Sequence, residues 1–435
     1  MNSEVGTPLK EKFADADLHR GVLVVSHDAV RTGAPLIALN IARELVRGHG
    51  IPVVTLLRGP GELEPDFASL GPTFLISREG PAAYLREKRP WARQAKHMIH
   101  ILNSGSRIWS WHRLTRYLGA RHIRYAVCNT VLAGDAAVRL KGLGLRSIGL
   151  VHEMSHSIRA YGWSDQAAAL VRGTEALVFA CPQVRADFTG MFPLGDKTTR
   201  IFPQGINIDS EHLSEGRRAD LRTALRGRLG LAAEDILVLG CGFGTFRKGV
   251  DLFVQAARET AACSESAGTG RIVFAWVGQL QSDFQAWAEK DVIELNLSGR
   301  LILPGQQREM APWFAAADIF FLSSREDPFP TVVLEAMASG LPVVGFSGTG
   351  GYEEQARGGA GLTVPYADVA SAVRTLRRLA EQPGERAETG RVGRERVEAW
   401  GGYSGYVRDL LNLLSATRVE SADKSDSGSL RGSGR

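Results

Sequence analysis

The stretch Asp318–Ser347 reads DIFFLSSREDPFPTVVLEAMASGLPVVGFS and carries two periodicities in succession. IFFLSS is a short apolar run of strand type. Thr331 to Ser339 has helical spacing, with Pro330 suited to the first helical position because its missing N–H costs nothing there. Gly340 stops that helix, and PVVGFS from Pro342 starts another strand. Strand, helix and strand in this order is the unit that builds parallel sheets. Within it, the three carboxylates between Ser324 and Ala338, Glu326, Asp327 and Glu335, are poor material for a core. They fall at a strand end and one turn into the following helix. Ligands of parallel sheets bind beyond the carboxyl ends of the strands, so these carboxylates are candidates for a ligand site. A solvated loop with a dipole-stabilised Glu is the plainer alternative.

The same alternation extends in both directions. Upstream, strand-like runs occur as GVLVVSH from Gly21, PVVTLL from Pro52, HMIHIL from His97, YAVCNT from Tyr125, RSIGLVHE from Arg146, ALVFACP from Ala176 and TRIFPQG from Thr199. After a polar, helix-prone stretch from Ser210 to Asp235, the pattern restarts with ILVLGCGFG from Ile236. IVFAWVG from Ile272, LILPG from Leu301, IFFLSS, PVVGFS and LTVPY from Leu362 follow. Continuous apolar strands separated by helices are the mark of sheets covered on both faces. The chain has 435 residues, beyond the roughly 250–300 at which one core stops growing. The expected fold is therefore α/β, with two doubly wound Rossmann-like domains facing each other across a cleft. The expected divisions are 1–207, 208–395, a C-terminal helix over 396–415 packing back on the first domain, and an unstructured tail over 416–435.

The restart LVLGCGFGTFRKGVDLFVQAA places Gly240, Gly242 and Gly244 after a strand and Arg247-Lys248-Gly249 before a helix. Glycines admit close approach of a ligand to the backbone, and a helix N-terminus with two adjacent cations suits a diphosphate. A tight turn with two solvated cations is the alternative. A dinucleotide fingerprint fits poorly, because the spacing is GxGxG and the next strand, IVFAWVGQ, ends without an acidic residue.

Hydrophobic residues make up 44% and charged residues 23% of the chain, with a net charge of +5, values ordinary for a globular protein. The four cysteines, Cys128, Cys181, Cys241 and Cys263, have neither CxxC nor zinc-ligand spacing and read as reduced structural residues. The polar opening MNSEVGTPLKEKFADADLHR has no apolar core of the signal-peptide kind, and no run reaches membrane-spanning length. The expected location is cytoplasmic, or peripheral on the inner face of a membrane.

On these residues the chain resembles the retaining glycosyltransferases of the GT-B fold, family 4. The most specific part is DPFPTVVLEAMASGLPVVGF, preceded by ADIFFLSS and followed by GTGGYEE. FGTFRKGVDLFVQAA is similar to that family's phosphate-binding segment, VVSHDAVRTGAPLIALNIARELVRGHG to its glycine loop and first helix, and VHEMSHSI and IFPQGIN to two weaker landmarks. The resemblance implies transfer of a hexose from a nucleoside diphosphate sugar with retention of configuration, without cofactor or metal. It implies that Glu335 binds the donor ribose and that Asp327, with backbone around Phe329, Pro330, Thr331 and Val332, holds the donor sugar. Matching on Phe329 selects Asp327 as the partner of Glu335 and leaves Glu326 solvated or paired with Arg325. Lys248 and Arg247 would neutralise the diphosphate, with Phe243, Gly244 and Leu303 also on the donor side. Gly33 and Ala34 would admit the diphosphate and acceptor, and His152 would touch the transferred sugar unless it is an ordinary structural histidine. Pro330 departs from the family by lacking an N–H, and Phe243 stands where the family commonly has Arg.

From Tyr84 to Arg124 there are ten Lys/Arg against one acidic residue, Glu87, with Trp91, Trp109 and Trp111 interleaved. The composition fits an anionic membrane surface and so a lipid-linked or glycan acceptor. It equally fits a solvated basic face over buried tryptophans. No nucleic-acid motif accompanies it, and nucleic acid is not an expected partner. Two other functions remain open to the same residues: a nucleotide-sugar epimerase, which needs no acceptor, and a non-catalytic nucleotide-sugar-binding protein.

Overall fold

The computed structural model describes residues 15–76, 110–206, 214–262, 270–400 and 402–426. The chain forms two compact units, one of residues 1–203 with 403–435 and one of residues 204–402. The division expected at 395/396 falls inside the helix Pro383–Ala399.

The first unit holds seven strands: β1 (Val22–Ser26), β2 (Val53–Leu57), β3 (Thr73–Leu75), β4 (Tyr125–Asn129), β5 (Arg146–Val151), β6 (Ala176–Phe179) and β7 (Thr198–Ile201). All pair in parallel, in the order β3-β2-β1-β4-β5-β6-β7. The order reverses between β1 and β4, which makes their carboxyl ends the switch point of a doubly wound sheet. Strands β1, β2 and β4 are buried along their whole length, as their unbroken apolar runs require. β3 is short and half-buried, and its TFL carries too little apolar sequence to announce a strand. The run HMIHIL and most of the basic stretch, residues 77–109, lie outside the described residues. Its end is a helix over 110–121. There Trp111 and Leu114 are buried, and the Arg139 guanidinium sits 4.7 Å above the Trp111 ring.

The second unit holds β8 (Ile236–Cys241), β9 (Ile272–Val277), β10 (Leu301–Gly305), β11 (Ile319–Leu322), β12 (Val343–Phe346) and β13 (Leu362–Val364). Their order is β10-β9-β8-β11-β12-β13, all parallel, with the reversal between β8 and β11. Ile319 and Phe320 of β11 pair with Val238 and Leu239 of β8. An aromatic group of Phe253, Phe274, Trp276, Phe321 and Phe346 packs edge-on and stacked beneath this reversal.

The C-terminal helix runs Gly402–Asp426, beyond Ser415 and into the stretch expected to be an unstructured tail. Tyr403, Tyr406, Val407, Leu410, Leu411 and Leu414 recur at helical spacing and are buried in the first unit's core with β1, β4 and β5. That anchored face nucleates the helix, and propagation into the polar residues after Ser415 needs only one backbone hydrogen bond per residue. Among the described residues, no helix is long and apolar enough to cross a membrane.

Candidate functional site

In the second unit, the loops after β8, β11 and β12 are laced together at the strand reversal. Gly249 adopts φ +68°, and a Cβ there would lie 1.9 Å from the Ser323 carbonyl oxygen, so only glycine lets the two loops meet this closely. The Ser323 hydroxyl donates to the Lys248 carbonyl at 3.2 Å, the Arg325 amide to the Arg247 carbonyl at 2.8 Å, and Arg247 Nη1 to the Glu326 carbonyl at 2.6 Å. The Asp327 amide donates to the Thr349 carbonyl at 2.6 Å, and the Gly351 amide to the Asp327 carbonyl at 3.1 Å.

This lacing delivers the side chains. Lys248 Nζ donates to Asp327 Oδ2 at 2.6 Å, with both side chains largely buried, and the Ser324 hydroxyl adds a 3.2 Å bond to the same oxygen. Glu335 sits one turn into the helix Thr331–Ala338. Its carboxylate has neither hydrogen bond nor ion pair among the described residues, and desolvation lifts its pKa to about 7. The Cys241 thiol, at the end of β8, registers the whole group. Burial raises it to about 12, with the Glu335 carboxylate next and Asp327 adding to the rise, while Lys248 opposes it. Glu335, Lys248 and Asp327 thus all act electrostatically on the thiol at the end of β8.

Other expected residues are placed as follows. Arg247 is half-buried with one nitrogen engaged. Pro330 precedes the first helical residue, Thr331, by one position and adopts an extended ψ of 104°, while its carbonyl accepts from Gln355 Nε2 at 3.1 Å. Phe329 is buried, with its ring 5.8 Å from Trp400. Its side chain is therefore part of the packing, and only its backbone remains for a ligand. Gly244 is held by its own amide bond to the Gln279 carbonyl, and Leu280 fills the space beside it. Phe243 stands half exposed at 51%. Leu303, on the edge strand β10, packs against the hydrophobic core. The Arg325–Glu326 pairing suggested by adjacency does not form: Arg325 holds Asp251 through two 2.7 Å bonds and lies 3.8 Å over the Phe246 ring. Glu326 itself is buried rather than solvated.

The first unit carries a second polar group, at its own strand reversal. Gly33 opens the helix Gly33–Arg47 with nothing near the position of a Cβ. Asn129, the last residue of β4, donates to the Ala34 carbonyl at 2.8 Å and meets His152 Nε2 at 2.7 Å. Burial, with His27 as a secondary cause, depresses the His152 pKa to about 3, so the ring is neutral at physiological pH. Glu153 is buried beneath it. One carboxylate oxygen accepts from the amides of Val131 and His152, both at 3.1 Å, and burial raises this acid to about 7. Asn129 and Glu153 are not among the residues singled out from the sequence. The available signal was a polar residue ending an otherwise apolar strand and an acid directly after the flagged histidine.

Residues 234–382 match the family model of glycosyl transferases group 1. The chain is 28% identical over 179 residues to a D-inositol 3-phosphate glycosyltransferase of Xylanimonas cellulosilytica, covering 40% of this chain and 41% of that protein. It is 30% identical over 250 residues to D-inositol 3-phosphate glycosyltransferase 1 of Catenulispora acidiphila, covering 56% of this chain and 58% of that one. The chain thus spans about half the length of these curated relatives. Among solved structures, Anabaena Alr3699/HepE in complex with UDP superposes with a TM-score of 0.72 at 15% identity, over 91% of this chain and all of that one. At that identity the likeness is one of fold.

Proposed function

We propose, from the match of residues 234–382 to the group 1 glycosyl transferases and the two parallel sheets of GT-B type, that the chain transfers a sugar from a nucleoside diphosphate sugar to an acceptor with retention of anomeric configuration. The observation that carries the reading is the end of β8, where Lys248 pairs with Asp327 and the Cys241 thiol feels both of them together with Glu335, whose carboxylate has no partner among the described residues. A nucleotide sugar presents hydroxyls and phosphates together. In this reading Glu335 accepts from ribose hydroxyls, and Lys248 and Arg247 meet the diphosphate. Asp327 holds Lys248 in position and offers its second oxygen to the donor sugar. As the leaving diphosphate gains charge, these fixed cations stabilise it more than they stabilise the ground state. Neutralisation by side chains supports a metal-independent reaction. In the first unit, the neutral His152, oriented by Asn129, supplies a hydrogen-bonding edge to the transferred sugar or the acceptor.

The acceptor in this reading is a glycan or lipid-linked sugar, reached from the membrane surface through the basic stretch 84–124. The likeness to D-inositol 3-phosphate glycosyltransferases favours a second acceptor class, a phosphorylated polyol. Thermal-shift titration with UDP-, GDP- and ADP-sugars fixes the donor. Nucleotide release is then followed in EDTA with a glycan, a lipid-linked sugar or an inositol phosphate. Acceptor-dependent release in EDTA is the expected result. Interconversion of the donor sugar without acceptor, or binding without turnover, overturns it.

A further inference from the structure

A pocket of about 630 Å³ opens in the second unit at the amino ends of β11 and β12. Ala317 and Asp318 precede β11 and Leu341 and Pro342 precede β12, so the pocket lies at the sheet edge opposite the loops after β8 and β11. Five arginines line it, from the helices Glu215–Arg228 and Pro383–Ala399.

Three of the five are committed to the fold. Arg222 donates to the carbonyls of Ala315, Ala316 and Ala317 and to Asp318 Oδ1 at 2.7 Å. The other oxygen of Asp318 is occupied by Arg226 at 3.0 Å and the Leu237 amide at 2.8 Å, so this acid is saturated. Arg386 donates to the carbonyls of Leu379 and Ala380. Arg391 is held between Glu388 and Glu395.

Arg218 and Arg394 are different. Both are half-buried, and neither guanidinium has a hydrogen bond or ion pair among the described residues. Arg394 lies against Gly340, where a Cβ would come within 2.6 Å of its Nη2. Arg218 is held below its ordinary pKa by burial first, then by Arg394 and Arg222, with Asp318 opposing. Glu215 stands exposed on the rim. The fold thus keeps two mutually repelling guanidiniums in one pocket, over an apolar floor that includes Leu341, Pro342 and Pro383.

We propose that Arg218 and Arg394 form a binding site for a phosphate monoester, the dianion resting between the two guanidinium forks and its organic body on the apolar floor. Planar guanidiniums match phosphate oxygens in pairs, and a dianion offsets the repulsion between Arg218 and Arg394. The chemistry is shared by a soluble sugar phosphate and a phosphomonoester lipid headgroup.

The experiment is equilibrium binding, independent of any transfer activity. Full-length protein is titrated with inorganic phosphate and with glucose 6-phosphate by calorimetry, and sedimented with phosphatidylcholine vesicles with and without phosphatidic acid. Saturable binding of a soluble probe identifies a soluble source, and sedimentation only with phosphatidic acid identifies a headgroup. In either case the Arg218→Gln/Arg394→Gln double variant weakens the interaction at least tenfold and binds nucleotide sugar as the parent does. Each single variant weakens it by a smaller factor, which carries the test if the double variant does not fold. Parent-like affinity in these variants, or no binding of any probe by the parent, overturns the proposal.

Discussion

Lys248 and Asp327, 79 residues apart, meet at 2.6 Å where the loops after two neighbouring strands come together. One residue belongs to the glycine-rich turn after β8 and the other to the acidic turn after β11. Their pairing depends on the strand reversal that makes those turns adjacent. The pair is largely buried, so its attraction is weakly screened and its loss is felt.

Removing the cation tests the electrostatic role directly. Lys248→Ala lowers kcat by about 10²–10³, the size of effect found when one preorganised charge-stabilising donor is deleted. Steady-state kinetics with a saturating donor read the loss, and parent-like circular dichroism excludes unfolding as its cause.

Glu335→Gln separates binding from stability. Donor affinity falls because a ribose acceptor is lost, read as a raised donor Kd. Stability moves the other way. The folded pKa of Glu335 is raised from the ordinary 4.5 to about 7, so the native state binds more protons than the unfolded state between these values. Parent stability therefore falls as pH rises from 4.5 to 7 on account of this group and is level above. The variant lacks that loss, so its melting temperature matches the parent near pH 4 and exceeds it at pH 8. A variant that melts lower than the parent at pH 8 contradicts the assigned desolvation.

Glu153→Ala removes the acceptor for two buried amides, Val131 and His152. Orphaned buried donors cost about 1–3 kcal/mol, measured by urea unfolding. Glu153→Gln retains an amide oxygen for the same donors and costs less. The difference between the two variants separates hydrogen bonding from cavity formation.

His152 stays neutral across the working range. Its folded pKa of about 3 against an ordinary 6.5 means that its contribution to stability is complete above pH 6.5 and is lost as pH falls toward 3. NMR of the imidazole resonances should show no titration of His152 between pH 5 and 8. A midpoint near 6.5 would overturn its assignment as a buried neutral ring.

Much of the architecture was legible because burial on both faces leaves a strong trace. Runs such as VLVVS and ILVLGC can serve only as covered parallel strands, and alternation with helices made two sheets the natural reading. The helix bearing Glu335, bounded by Pro330 and Gly340, was readable from local backbone chemistry, since Gly340 adopts the left-handed φ of +71°. The far end of the C-terminal helix was not, because residues after Ser415 have no apolar pattern of their own and follow a face anchored by Tyr406, Leu410 and Leu414.

The sequence by itself determined which residues could do chemistry: the carboxylates at Asp327 and Glu335, the cations at Arg247 and Lys248, and the histidine at 152. Only the tertiary structure decided their partners. Arg325 prefers Asp251 to its neighbour Glu326 because a two-pronged guanidinium needs a carboxylate facing it across a turn, which chain adjacency does not provide. Among the described residues Glu335, Arg218 and Arg394 have no side-chain partner, for the same reason. The backbone fixes where each group stands, and no sequence interval records which counter-charge the folded chain fails to bring there.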